Sequence, residues 1–204
     1  MKRPLGRFVV KVLAWLPLAF VVWYFAAFLL LWPAGLLVRG VAHAGFARLV
    51  TGIEQNTTTF VFTTSLRPGE ALSGGRVTVD VDGLLYSFGM PLFAALVLAA
   101  REARWPRTLA IGYALLVPVA AWGIFADFLK DIAITSGPLI ASQTGFVSWQ
   151  REVIAFAFQF GSLILPTVVP AIVWVLTHRR FLERLRGEGK IAGQAASVIP
   201  APPP

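Results

Sequence analysis

Cysteine is absent, histidine occurs twice, and charged residues make up only 14% of the 204. Without cysteine the chain has no disulfide, no thiolate metal site and no cysteine nucleophile. The two histidines, His43 and His178, fall at opposite membrane faces on the topology derived below, so they cannot share a metal or a proton relay within one protomer. No nucleotide-binding glycine pattern occurs. Four windows lack Asp, Glu, Lys and Arg altogether: Val12 to Val38, Gly83 to Ala100, Thr108 to Ala126 and Val153 to His178. Intramembrane aspartyl catalysis needs two carboxylates at membrane depth, and none of these windows holds even one.

What fills the space is apolar. A 57% hydrophobic chain of this length exceeds what a water-soluble domain covers with polar surface, so the excess requires lipid. Crossing roughly 30 Å of hydrocarbon takes about 20 helical residues, because a helix satisfies its own backbone hydrogen bonds where water is missing. All four windows qualify, the second narrowly. The first follows Lys2, Arg3 and Arg7 as a signal peptide would, and Ala42-His43-Ala44 has a cleavage-like pattern. A signal core spans only about 7–15 residues, however, so the run is read as a retained span.

The net charge of +8 is sorted by loop. The N-terminus, the turn Arg101 to Arg107 and the tail from Arg179 carry twelve Lys/Arg against Glu102, Glu183 and Glu188, while the other two connections carry six against seven. Lys and Arg accumulate on the cytoplasmic side. The expected topology is therefore an all-α membrane protein with both termini inside: basic N-terminus 1–11, span one 12–38, outer segment 39–82, span two 83–100, inner turn 101–107, span three 108–126, outer polar loop 127–152, span four 153–178, and a basic, disordered tail 179–204. The basic residues are juxtamembrane flanks without interleaved aromatics, which argues against nucleic acid as a partner and for the bilayer.

Trp32-Pro33 is expected at the outer interface, with Ala34 to Val50 continuing as an amphipathic helix along the membrane surface. Residues 57–64 and 76–82 alternate with period two and are rich in Thr, Val and Phe, the pattern of a small outer β-hairpin unit of two or three strands. Arg67-Pro68-Gly69-Glu70 and Ser73-Gly74-Gly75 punctuate the connection. An isolated hairpin is marginal in water. Phe60, Phe62, Val77, Val79 and Val81 should therefore pack against the helical extension, the 127–152 loop or a partner.

Candidate functional residues gather in the outer polar layer: Asp127, Lys130, Asp131, Trp149, Gln150, Arg151 and Glu152. Asp127 and Asp131 share a helix face with Lys130 between them, and a salt-bridge network reaching Arg151 and Glu152 is expected. Its plain reading is a structural cap on spans three and four; a docking surface and an acid–base site are the alternatives. Gln159, two turns into span four, is expected to face other helices rather than lipid. No metal or other cofactor is expected.

The chain resembles the exosortase H-associated membrane proteins over about residues 10–186. The resemblance rests on Leu16-Pro17, Trp23-Tyr24 and Leu31-Trp32-Pro33 in span one, and on Tyr86-Ser87-Phe88-Gly89-Met90-Pro91-Leu92 opening span two. Trp122, Asp127 and Leu129-Lys130 carry it at the end of span three. In the last span it runs from Trp149-Gln150-Arg151-Glu152 through Gln159-Phe160-Gly161 and Leu165-Pro166 to Arg180-Phe181-Leu182-Glu183. It implies a noncatalytic accessory or assembly role beside a membrane-embedded exosortase in a bacterial inner membrane. Exosortases use a cysteine with arginine and histidine partners, so a chain without cysteine is not that enzyme. A small transporter, or an envelope or lipid-modifying enzyme using Asp127, Lys130 and Glu152, are the rival readings.

Overall fold

A computed structural model describes residues 4–68, 75–179 and 183. Its first element, α1, runs unbroken over Pro4–Gly45 with Pro17 and Pro33 inside it. The expected surface helix after Trp32-Pro33 is thus not a separate element. The reason is a continuous apolar stripe: Ala27, Leu31, Ala34, Val38 and Ala42 recur at helical spacing and are all buried. Carbonyls in the turn before Pro33 find side-chain donors, Gln55 Nε2 on Phe28 O at 3.0 Å and the Tyr113 hydroxyl on Leu30 O at 2.8 Å. A proline inside an apolar helix is tolerated when neighbours serve the backbone in this way.

Three antiparallel strands follow, β1 (Val50–Asn56), β2 (Thr59–Thr64) and β3 (Thr78–Asp82), in the order β1-β2-β3. The expected alternation holds in β2 and β3: Phe60, Phe62, Val79 and Val81 are buried, while Thr78, Asp80 and Asp82 are exposed. β1 is an addition, pairing Glu54 with Val61 and Gln55 with Phe60. The β1–β2 turn puts Thr57 at φ 58°, left-handed for a β-branched residue, and Gln55 Nε2 braces it by donating to Thr57 O at 3.1 Å. The sheet rests on helices. Phe62 stacks on Phe128 at 4.2 Å between centroids, and a Cβ on Gly35 would approach the Phe60 ring to 2.9 Å, so α1 meets the sheet at bare backbone. Residues 69–74 of the connection and, apart from Arg179 and Glu183, the tail 179–204 read above as disordered lie outside the described residues.

Beyond the sheet come α2 (Leu84–Ser87), α3 (Gly89–Ala100), α4 (Trp105–Lys130), a π turn over Asp131–Thr135, α5 (Pro138–Gln143), α6 (Ser148–Gln159), a second π turn over Phe160–Ile164, and α7 (Leu165–Thr177). Helix α3 is the innermost, packed by α1, α4 and α7, with Phe93, Ala95 and Val97 all but sealed. Glycines let the helices close. A Cβ on Gly112 would lie 2.0 Å from the Phe93 ring, one on Gly123 2.2 Å from the Tyr86 ring, and one on Gly89 2.5 Å from Pro166 O.

Among the described residues three helical stretches are long and apolar enough to cross a membrane, Gly6–Gly45, Trp105–Thr135 and Ser148–Thr177, and Leu84–Ala100 is a shorter apolar helix. At 1.5 Å per residue that shorter stretch spans about 25 Å. Large apolar side chains cover the outside of the bundle, Phe25 at 75% exposure and Leu163 at 69% among them. Such a surface belongs in lipid. The fold is thus mostly helical with three long apolar helices and a small three-stranded antiparallel sheet, in keeping with the expected helical membrane protein carrying a small β unit.

Candidate functional site

The sheet lies at the end of the bundle where α1 and α4 finish and α3 and α6 begin. Here the predicted polar layer divides in two. Lys130 Nζ lies 2.8 Å from Asp127 Oδ1 and 3.0 Å from Asp131 Oδ1, and stands 4.3 Å above the centre of the Phe158 ring. The helical spacing of the three residues brings them together, and the π turn opening at Asp131 keeps both carboxylates on the ammonium. The side chains of Asp127 and Lys130 are only 13% and 23% exposed. Buried Tyr86 interacts with Asp127 through its phenol, and Gly123 gives its ring room. The triad therefore ties α2, α4 and α6 together and is satisfied from within.

Arg151 and Glu152 do not join it. The part of α6 that reaches Lys130 is Phe158, seven residues after Arg151, and at 1.5 Å per residue this sets Arg151 about 10 Å further along the helix. Arg151 and Glu152 instead line a separate cleft of about 460 Å³, with Ala133, Gly137, Ala141 and Ala155 among its walls. Arg151 Nη2 is 3.4 Å from Ala141 O, and its buried Nε has no hydrogen-bond partner among the described residues. Gln150 is local: its Oε1 accepts from Val147 N–H at 3.1 Å, closing the first turn of α6. Trp149 is 64% exposed on the same turn, as an interfacial ring would be.

Gln159 is a correction. It is exposed on the bundle's outer surface rather than turned toward other helices. The polar bridge at that level is the Trp122 indole, donating to Ala157 O at 3.1 Å across the second π turn, with Gly161 beneath the ring. Ala157 O, just before that π turn, also accepts from Phe160 N–H, so Trp122 supplies it a second donor. The 127–152 loop does pack on the sheet unit. Gln143 accepts from Arg67 N–H at 3.0 Å and donates to Arg67 O at 2.9 Å. Thus the sheet and α5 form one platform.

Tyr86, Phe158 and Gln143 are the residues that the sequence reading missed. Tyr86 and Phe158 sit within apolar windows, and nothing local in their sequence marks a tertiary partner. His43 is exposed and His178 is buried at 1% exposure, the latter with Nδ1 3.1 Å from Trp174 O. They lie at opposite ends of the bundle. Among the described residues no group of three His, Asp or Glu is placed to hold a metal ion.

Residues 2–181 match the profile of the exosortase H-associated membrane proteins. Neither a curated protein nor a solved structure matches the chain. With a match over nearly its whole length, and with apolar helices able to span a bilayer, the chain belongs to the exosortase H-associated membrane protein family.

Proposed function

We propose that the chain is a noncatalytic accessory or assembly subunit of an exosortase-type sorting system, crossing a bacterial inner membrane four times with both ends in the cytoplasm. Family membership is the observation that carries this reading, since it links the chain to an exosortase. The Lys/Arg asymmetry supports the orientation, which puts the sheet and the Arg151 cleft outside. The shorter Leu84–Ala100 stretch serves as the remaining span, since its neighbours rather than lipid surround most of it.

Recognition is assigned to the outer platform. Its exposed sheet face carries Glu54 and Asp80, both paired opposite Val61, with Asp82 beside them, so a partner segment bearing basic side chains fits it best. The Asp127 triad holds this platform in place from beneath. An enzyme reading would need Glu152 to work with Asp127 and Lys130, and the separation of the cleft from the triad disfavours it. The exposure of Gln159 likewise weakens a transport path through the last helices. Deleting the gene is expected to lower the exosortase level or the sorting of its substrates; if both stay unchanged, the accessory role is wrong.

A further inference from the structure

Arg151 and Glu152 face one cleft, and the only ion pairs among the described residues are those of Lys130, so neither is in a salt bridge there. This is unlike the triad, whose charges answer each other. Beyond one long contact from Nη2 to Ala141 O, the Arg151 guanidinium makes no hydrogen bond among the described residues, so its Nη hydrogens are left for an anion. Exposed Glu152, on the same wall, would repel a simple anion and attract a cation held a few atoms away. Beside Ile134 and Pro138 the walls are the small residues Ala133, Gly137, Ala141 and Ala155, which leave room for a headgroup-sized ligand.

Position narrows the source. Trp149, Val153 and Phe156 recur at i, i+4 and i+7 on α6, exposed at 64%, 55% and 66%, and so form a lipid-facing stripe that starts level with the cleft. Among the described residues no aromatic lines the cleft, which argues against a quaternary ammonium and for a primary one that hydrogen-bonds to a carboxylate.

We propose that the Arg151–Glu152 cleft binds the headgroup of a zwitterionic phospholipid of the phosphoethanolamine type, its phosphate on Arg151 and its ammonium on Glu152. Such a site needs only the membrane placement and stands apart from the exosortase link. The test is native mass spectrometry of the full-length protein in detergent with an equimolar mixture of phosphatidylethanolamine, phosphatidylglycerol and phosphatidylcholine. Wild-type protein is expected to retain phosphatidylethanolamine roughly tenfold over the others, about the effect of one charge-assisted contact. Glu152→Gln, whose exposed side chain pairs with none of the described residues, should move the preference toward phosphatidylglycerol. Arg151→Gln should lose the lipid, while Arg151→Lys, which keeps the charge and a donor for Ala141, should retain it. Equal retention of the three lipids by wild-type protein, or an unchanged preference in Glu152→Gln, would overturn the proposal. Free O-phosphoethanolamine is expected to compete only in large excess; competition at equal concentration would make the ligand a soluble zwitterion and overturn the lipid assignment.

Discussion

Replacing Lys130 with methionine keeps most of the side chain's length and apolar stem but removes the ammonium that two carboxylates share. Asp127 and Asp131 would then face each other across one helical turn with no cation, and the Asp127 side chain is only 13% exposed. Removing one partner of a buried pair costs about 3–5 kcal/mol. Here Asp131, at 26% exposure, keeps some access to water, which brings the expected loss to about 2–3 kcal/mol. A further loss of up to about 1 kcal/mol comes from the cation over the Phe158 ring. Resistance to SDS unfolding in mixed micelles reads this out. The triple variant Lys130→Met, Asp127→Asn, Asp131→Asn removes the stranded charges as well and should recover most of the loss, a non-additivity that a merely exposed cluster would not give. Were Lys130→Met as stable as wild type, or the triple variant no better than the single one, the triad would not be an internal brace.

Three other substitutions test the packing. Gly112→Ala would set a methyl 2.0 Å from the ring of Phe93, itself sealed in the bundle, and should destabilise by about 1–3 kcal/mol in the same unfolding assay, with Phe93→Leu restoring part of it. Phe62→Ala removes a fully buried ring from the stack on Phe128; a loss of about 3–5 kcal/mol and faster proteolysis of the 65–77 connection are expected. Tyr113→Phe leaves Leu30 O without its hydroxyl donor beside the Pro33 turn and should cost about 1 kcal/mol in unfolding resistance.

Much of the architecture is legible in local pattern. Charge-free windows mark the helices because lipid accepts nothing else there, and the alternation in 59–64 and 78–82 marks two strands because one face of each is buried. The first strand is not legible in this way. Val50–Asn56 contains Gly52, Glu54 and Asn56, poor strand formers, and it is a strand only because β2 supplies its partner. The continuity of α1 past Pro33 is legible only in part: the stripe Ala27, Leu31, Ala34, Val38 and Ala42 is local, but the donors that serve the carbonyls before Pro33, Gln55 and Tyr113, come from distant segments.

The candidate site divides along the same line. Asp127, Lys130 and Asp131 are read from their spacing along one helix. That Arg151 stays out of reach depends on which turn of α6 meets α4, a matter of packing depth fixed by Phe158 and by Gly161 under Trp122. Two π turns shift the helical register at these places, and no residue type announces them.

The central claim is that the sheet-bearing end faces outward and meets an exosortase. Photo-cross-linking in cells from a probe placed at Asp80, on the exposed face of β3, tests it most directly. An adduct with the exosortase, absent when the probe replaces Arg104 in the opposite turn, is what the account predicts; an adduct from Arg104 and none from Asp80 would contradict it.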